Sequence, residues 1–143
     1  MDNENLTISF CKAWNNLDAS YLDFCFTHDF VYSSQMVLKD LNGKDEYLKY
    51  IKAKFNAIKN GANTVTAELG YYENEPCFIL TQTLAIPIRA PFGNPKYESP
   101  NHPLVNEINS TVLLKFENGF IKSAIMCTIP GVSYIKRTGV YPK

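Results

Sequence analysis

The hydrophobic pattern of this chain changes from mostly helical to strand-like near Gly61, and that change limits the folds open to it. Before Gly61 the apolar residues recur at the three- and four-residue spacing of one helical face, as Leu6, Phe10 and Trp14 do. After Gly61 apolar residues alternate with polar ones, as in strands that bury one side. A helical half followed by a half made of strands predicts an α+β domain in which helices cover one face of a sheet.

The half before Gly61 is predicted to hold three helices and one strand. The first helix is capped by Asp2 or Asn3, whose side chains can accept a hydrogen bond from the first turn. The predicted elements are a helix at about residues 4–16, a short helix that begins at Asp18, a strand over residues 30–38 and a helix between Gly43 and Asn60.

The half after Gly61 is predicted to form four strands in two hairpins, with turns at Glu73–Pro76 and at Asn118-Gly119. The strands are predicted at residues 64–72, 77–86, 107–116 and 120–129. Residues 87–103, between the hairpins, contain five prolines, and a loop of that length is often a lid or an oligomer contact. No second-domain boundary is visible. We therefore predict a single domain over residues 1–143, with its core at about 4–130 and a short C-terminal tail at 131–143.

Charge and hydropathy exclude two classes of partner. The 14 basic residues are balanced by 14 acidic ones, whereas binding to nucleic acid normally needs an excess of Lys and Arg on one surface. No apolar stretch approaches the roughly 18 residues of a membrane span. The first five residues are acidic and polar, unlike the basic start of a signal peptide. We therefore expect a cytoplasmic protein that binds neither nucleic acid nor membrane.

The cysteines and histidines do not form a metal-binding pattern. The 4 cysteines are widely spread without a C-x-x-C pair, and the chain has only 2 histidines. In a chain predicted to be cytoplasmic, the cysteines are most simply buried thiols. We expect no metal site and no cofactor.

Aromatic residues are abundant for a domain of this size, with 9 Phe, 9 Tyr and 1 Trp. So many rings are consistent with large side chains that line a cavity. A bulky core together with an aromatic dimer face explains them equally well.

The order of elements resembles the nuclear-transport-factor-2-like superfamily, which includes ketosteroid isomerase and the SnoaL-like polyketide cyclases. The segments that carry the resemblance are Ala13-Trp14-Asn15-Asn16-Leu17-Asp18, Phe26-Thr27-His28-Asp29-Phe30-Val31-Tyr32, Leu41-Asn42-Gly43-Lys44 and Phe116-Glu117-Asn118-Gly119-Phe120-Ile121. The resemblance covers residues 4 to about 130. It implies a cystatin-like cone, in which three helices of the N-terminal half pack on the concave face of a strongly curved, mixed, mostly antiparallel sheet.

The same resemblance implies where an isomerase would carry its acid–base groups. An ungapped comparison puts Phe10, Ser34 and Val112 at the positions of the tyrosine, the carboxylate base and the protonated carboxylic acid. Phe10 has no hydroxyl, Ser34 is too weak a base, and Val112 can do neither task. A shift on the last strand would offer Ser110, which is still not an acid. The isomerase reaction is therefore disfavoured.

A pocket is expected between the helices and the concave face of the sheet. Strand alternation predicts that Ser110, Val112 and Leu114 face the helices while Lys115 faces solvent. The residues predicted to line the pocket are Phe10, Trp14, Tyr32, Ser34, Phe55, Gln82, Ser110, Val112 and Leu114. For the apolar members the alternative interpretation is ordinary core packing, and for Gln82 it is exposure on the outer face.

Three residues are weak candidates for general acid–base chemistry. Glu68 would be a desolvated base if it faces inward, and a surface carboxylate if it faces outward. His28, followed by Asp29 near the end of the second helix, could belong to a catalytic pair or could interact with the helix C-terminus. Tyr32 could donate a hydrogen bond to an oxyanion.

Three functions remain open at this stage. The first is a protein that binds a small apolar or aromatic molecule. The second is a SnoaL-like enzyme, an isomerase, cyclase or dehydratase that uses Glu68, His28 and Tyr32. The third is a ligand-free module that forms a homodimer through the outer sheet face, with Leu113 and either Ile125 or Met126 in the contact. The third can coexist with the first.

Overall fold

A computed structural model of the chain describes residues 1–35, 39–89, 104–128 and 134–143. Within these ranges there are two α-helices and one sheet of seven strands, in the spatial order β2-β1-β6-β5-β4-β3-β7. The helices are α1 (Asn3–Asn16) and α2 (Lys44–Lys59). The strands are β1 (Phe26–Ser34), β2 (Leu41–Asn42), β3 (Thr64–Tyr72), β4 (Glu75–Arg89), β5 (Leu104–Glu117), β6 (Phe120–Cys127) and β7 (Lys136–Arg137). Neither helix is long and apolar enough to cross a membrane.

Helix α1 begins and ends at recognisable capping residues. The Asp2 carboxylate accepts a hydrogen bond from the Asn5 backbone N–H at 2.7 Å, as an N-cap does. Leu17 takes a left-handed conformation, with φ of 51°, and its N–H returns to the Trp14 carbonyl. The chain therefore leaves the helical conformation at Leu17.

The prediction of three helices is wrong, because the segment that follows Asp18 forms only a short 3-10 turn, Ala19–Leu22. Strand β1 begins at Phe26, four residues earlier than predicted, where it pairs in parallel with Ile121 of β6. Too few residues remain between α1 and β1 for a second α-helix. Consequently His28 lies on β1 and not at the end of a helix.

Both predicted hairpins form, and each is closed by a tight turn whose residues have positive φ. Glu73 and Asn74 have φ of 49° and 67°, and Asn118 and Gly119 have φ of 52° and 81°. Two consecutive residues with positive φ are typical of the type I′ turn, whose twist matches that of the strands it joins. Only the β1–β6 pair is parallel among the described strands, so the sheet is mixed and mostly antiparallel. Register shifts in β1–β6, β4–β5 and β5–β6 are of the kind that bends a sheet.

The core lies between the two helices and one face of the sheet. Phe10 of α1 packs its ring against Phe78 of β4, with centroids 4.8 Å apart. Trp14 meets Phe55 of α2 edge to face at 5.0 Å. These fully buried rings bind α1 to both the sheet and α2.

The end of the chain is part of the sheet. Strand β7 pairs with β3 through Gly70 and Tyr71, and the Val140 carbonyl accepts a hydrogen bond from the Leu69 N–H at 2.9 Å. Asn15 of α1 covers the next stretch of the β3 edge by bonding both the N–H and the carbonyl of Ala67. This edge of the sheet is therefore protected against pairing with another chain.

Candidate functional site

A cavity of about 270 Å³ opens on the helix-bearing face of the sheet, between α2 and strands β1, β4, β5 and β6. We call it the concave-face cavity. Its lining residues are Tyr32, Ser34, Tyr50, Lys54, Gln82, Ile108, Ser110, Met126 and Thr128. Its volume lies just below the usual range of small-molecule sites, about 300–1,000 Å³.

One side of the cavity is aromatic. The rings of Tyr32 and Tyr50 lie 5.8 Å apart and are inclined by 30°, and both contact the buried ring of Tyr47. The Tyr32 hydroxyl donates to the sulfur of Met126 at 3.8 Å. Burial raises the pKa of both cavity tyrosines. These side chains are therefore neutral hydrogen-bond donors and poor bases at neutral pH.

The far side of the cavity carries small polar groups. The hydroxyls of Ser110 and Thr128 are 3.2 Å apart and share one hydrogen bond. Gln82 comes from β4, where Gln82 pairs with Ile108 of β5, so both side chains reach the same face. Hydroxyl and amide groups beside aromatic rings form the usual lining of a site that buries a ligand and fixes its orientation.

Lys54 is the charged member of the lining. It projects from α2, is partly buried, and also borders a neighbouring cavity of about 190 Å³ together with Gln82. Burial lowers the pKa of Lys54. No carboxylate among the described residues forms an ion pair with it.

Four of the residues predicted to line a pocket meet in this cavity: Tyr32, Ser34, Gln82 and Ser110. The other five belong to the packed core or its border: Phe10, Trp14, Phe55, Val112 and Leu114. They do not line the concave-face cavity because α1 closes on the sheet there, and their rings and methyl groups fill the space between. The core interpretation, which the sequence left open, describes these five.

The three candidates for acid–base chemistry do not come together. Tyr32 lies in the cavity, whereas His28 is exposed on β1. Glu68 pairs with Ile79 and therefore faces away from Ala67 and Leu80, which belong to the main core. The structure therefore places Tyr32, His28 and Glu68 at separate positions.

Glu68 is instead the buried partner of a half-exposed ion pair with the C-terminal segment. Its side chain is only 3% exposed. Its carboxylate accepts hydrogen bonds from Arg137 Nε at 3.0 Å and Nη2 at 2.6 Å, from the Gly139 N–H at 2.9 Å, and from the Tyr141 hydroxyl at 3.1 Å. Burial alone would raise the pKa of Glu68, but these donors outweigh it and hold the pKa below its usual range. These four hydrogen bonds give the Glu68 carboxylate a structural role, because they hold the C-terminal segment against β3.

Sequence reasoning missed five lining residues: Tyr50, Lys54, Ile108, Met126 and Thr128. Tyr50 and Lys54 share a helix face at a spacing of four residues, which could have revealed them once Tyr47 was placed in the core. Ile108 shares the alternating face of Ser110, a signal also present in the sequence. The predicted functions of loop 87–103 fall largely outside the described residues, which resume at Leu104.

No protein-family model and no curated protein matches this chain. Solved structures do match it. An uncharacterised cystatin-fold protein from Novosphingobium aromaticivorans is 16% identical, with a TM-score of 0.61 over 88% of this chain and 97% of the other. An NTF2-like protein of unknown function from Cytophaga hutchinsonii is 13% identical, with a TM-score of 0.55 over 87% and 97% of the two chains. The chain has the nuclear-transport-factor-2-like fold.

A third structure with this fold is a candidate polyketide cyclase from Pseudomonas putida. It is 11% identical, with a TM-score of 0.58 over 88% of this chain and 90% of the other. The nuclear-transport-factor-2-like fold thus agrees with the resemblance drawn from the sequence. At these identities the likeness concerns the fold, and function has to be argued from the cavity itself.

Proposed function

We propose that this protein binds a small ring-containing molecule in the concave-face cavity. The observation that carries the proposal is the pairing of an aromatic side, Tyr32 and Tyr50, with small hydroxyl and amide groups around a space of about 270 Å³. Such a site gains affinity by burying a ring and gains orientation from one or two hydrogen bonds. The polar groups of Ser34, Gln82, Ser110 and Thr128 border this space and are placed to orient a bound molecule.

The composition of the lining favours binding over acid–base catalysis. None of the nine lining residues in the described part of the chain is a carboxylate or an imidazole. The two tyrosines have raised pKa values and remain protonated at neutral pH, so neither is a ready general base. A SnoaL-like isomerase, cyclase or dehydratase remains the alternative, with Tyr32 as the donor to an oxyanion.

The binding proposal can be tested by a thermal-shift screen of ring compounds with native mass spectrometry of the purified protein. Ser34→Leu should fill part of the cavity and abolish the stabilisation produced by any true ligand. Ser33→Leu is the matched control, because Ser33 is the next residue of β1 and points to the opposite face. A ligand whose binding is unaffected by Ser34→Leu, or a complete absence of ligands, would contradict the proposal.

We also propose that the outer face of the sheet forms a homodimer. A groove of about 290 Å³ lies on that face, lined in part by Cys77, Leu113 and Ile125, and Ile125 is 37% exposed. Of the two residues considered for this contact, Met126 is buried in the core, which leaves Ile125. Glu75 and Lys115 also line the groove, so that two copies related by a two-fold axis could pair opposite charges.

Sedimentation velocity at micromolar concentration tests the dimer. We expect a dimer for the natural sequence and a monomer for Ile125→Glu, which would place a charge in the apolar contact. Lys49→Glu, on the exposed side of α2, is the control and should leave the dimer intact. A monomer for the natural sequence would refute this proposal without affecting the first.

A further inference from the structure

Among the described residues that line the concave-face cavity, Lys54 is the charged one. The other eight lining side chains are neutral at neutral pH, because the two tyrosines among them have raised pKa values. The Lys54 ammonium is therefore the group in this lining with which an anionic ligand could form an ion pair. A partly buried charge without a partner is unfavourable, and an opposite charge brought by a ligand would relieve it.

The protein supplies no carboxylate to pair with Lys54 in its described part. The residues one helical turn away on α2 are Tyr50, Ile51, Ala57 and Ile58. The facing strands present Tyr32, Ser34, Gln82, Ile108, Ser110 and Met126 to the cavity. Glu107, next to Ile108, pairs with Thr83 on the opposite face of the sheet and accepts a hydrogen bond from Asn109.

We propose that the ligand is an acidic ring compound whose carboxylate binds Lys54. This inference rests on the proposed binding function and adds its chemical class. The ring lies along Tyr50 and Tyr32, and Gln82, which borders the same two cavities as Lys54, is placed to donate to the second oxygen of the acid. The lowered pKa of Lys54 supports the argument, because it is the behaviour of an ammonium that has lost water and gained no partner.

Matched pairs of aromatic carboxylates and their primary amides test the inference by isothermal titration calorimetry. Benzoate with benzamide, cinnamate with cinnamamide, and 2-naphthoate with 2-naphthamide are suitable probes. A charge-assisted hydrogen bond predicts that at least one acid binds roughly 10- to 100-fold more tightly than its amide. Lys54→Met should remove that preference and Lys54→Arg should keep it. Lys49→Met removes an exposed lysine from the same helix and should change nothing.

The possible results separate this inference from the function on which it rests. If acid and amide bind equally and Ser34→Leu blocks both, the cavity is a binding site but Lys54 does not select an acid. If acids keep their preference in Lys54→Met, the charge acts elsewhere and the inference is likewise refuted. If neither these probes nor any neutral ring compound binds in a manner that Ser34→Leu abolishes, the proposed function itself fails. Retained binding of an amide by Lys54→Met would show that this variant is folded.

Discussion

Replacement of Arg137 by Met should destabilise the protein far more than its position in the last few residues implies. Arg137 donates two of the four hydrogen bonds that the Glu68 carboxylate accepts. Removing one partner of a buried ion pair typically costs about 3–5 kcal/mol, because the other charge stays buried without compensation. Here the Arg137 side chain is 45% exposed, and Gly139 and Tyr141 still hold the carboxylate. We therefore expect a smaller loss, about 2 kcal/mol.

The assay is urea denaturation at neutral pH followed by circular dichroism, with thermal unfolding as a second measure. A loss of this size corresponds to a decrease in Tm of about 6 °C, at roughly 3 °C per kcal/mol for a domain of this length. Lys136→Met is the matched control, since it removes the same charge from the neighbouring residue of β7, where the side chain is exposed. If the two variants lose equal stability, the ion pair with Glu68 does not hold the C-terminal segment.

The same pair predicts a dependence on pH. The pKa of Glu68 is lower in the folded protein than its ordinary value of 4.5, so the unfolded state binds more protons in acid. Its contribution is therefore complete above about pH 4.5 and is lost as the pH falls through the lowered folded-state pKa. The difference in stability between the natural sequence and Arg137→Met should shrink on acidification. A difference that stays constant from neutral pH to pH 3 would contradict this assignment.

Two further substitutions test the packing of the sheet by urea denaturation. Thr111→Val should raise stability by about 1 kcal/mol, because the Thr111 hydroxyl is buried without a hydrogen-bond partner in the described ranges. A loss of stability in this variant would contradict the prediction and would mean that the hydroxyl has a partner. Gly70→Ala should lower stability by about 1–3 kcal/mol. The new methyl group would lie 2.9 Å from Ile135 Cγ2 and 3.3 Å from the Lys136 carbonyl oxygen. Unchanged stability would mean that the C-terminal segment can move away at little cost.

The sequence was sufficient to predict the hairpins and both long helices, because each carries its own local signal. Asn118-Gly119 adopts the positive φ values that a tight turn needs, and Asp2 caps α1 as its side chain allows. The second helix was predicted wrongly because Leu22 and Cys25 are buried at a spacing that suits a helix. In the structure the Cys25 carbonyl instead accepts a hydrogen bond from the Ile121 N–H at 2.7 Å, and Phe26 pairs with Ile121 of β6, about a hundred positions along the chain.

The candidate site was only partly predictable for a similar reason. Alternation along β1 places Tyr32 and Ser34 on one face of the sheet. It does not show that α1 fills one part of that face with Phe10 and Trp14, or that a cavity remains beside α2. Lys54 shares a helix face with Tyr50, but the spacing alone does not show that this face borders a cavity. The ion pair of Glu68 could not be predicted without placing the C-terminal segment. Its strand β7 is only two residues long and carries no periodic signal of its own.

The central claim, that the concave-face cavity binds a small ring compound, is tested most directly by methyl NMR spectra recorded during titration with a compound from the screen. The methyl groups of Ile108 and Met126 report on the cavity, and those of Leu113 and Ile125 report on the outer groove. We predict saturable shifts at Ile108 and Met126 that Ser34→Leu abolishes, with Leu113 and Ile125 unchanged. Shifts confined to the outer pair, or an unchanged spectrum with every compound, would contradict the claim.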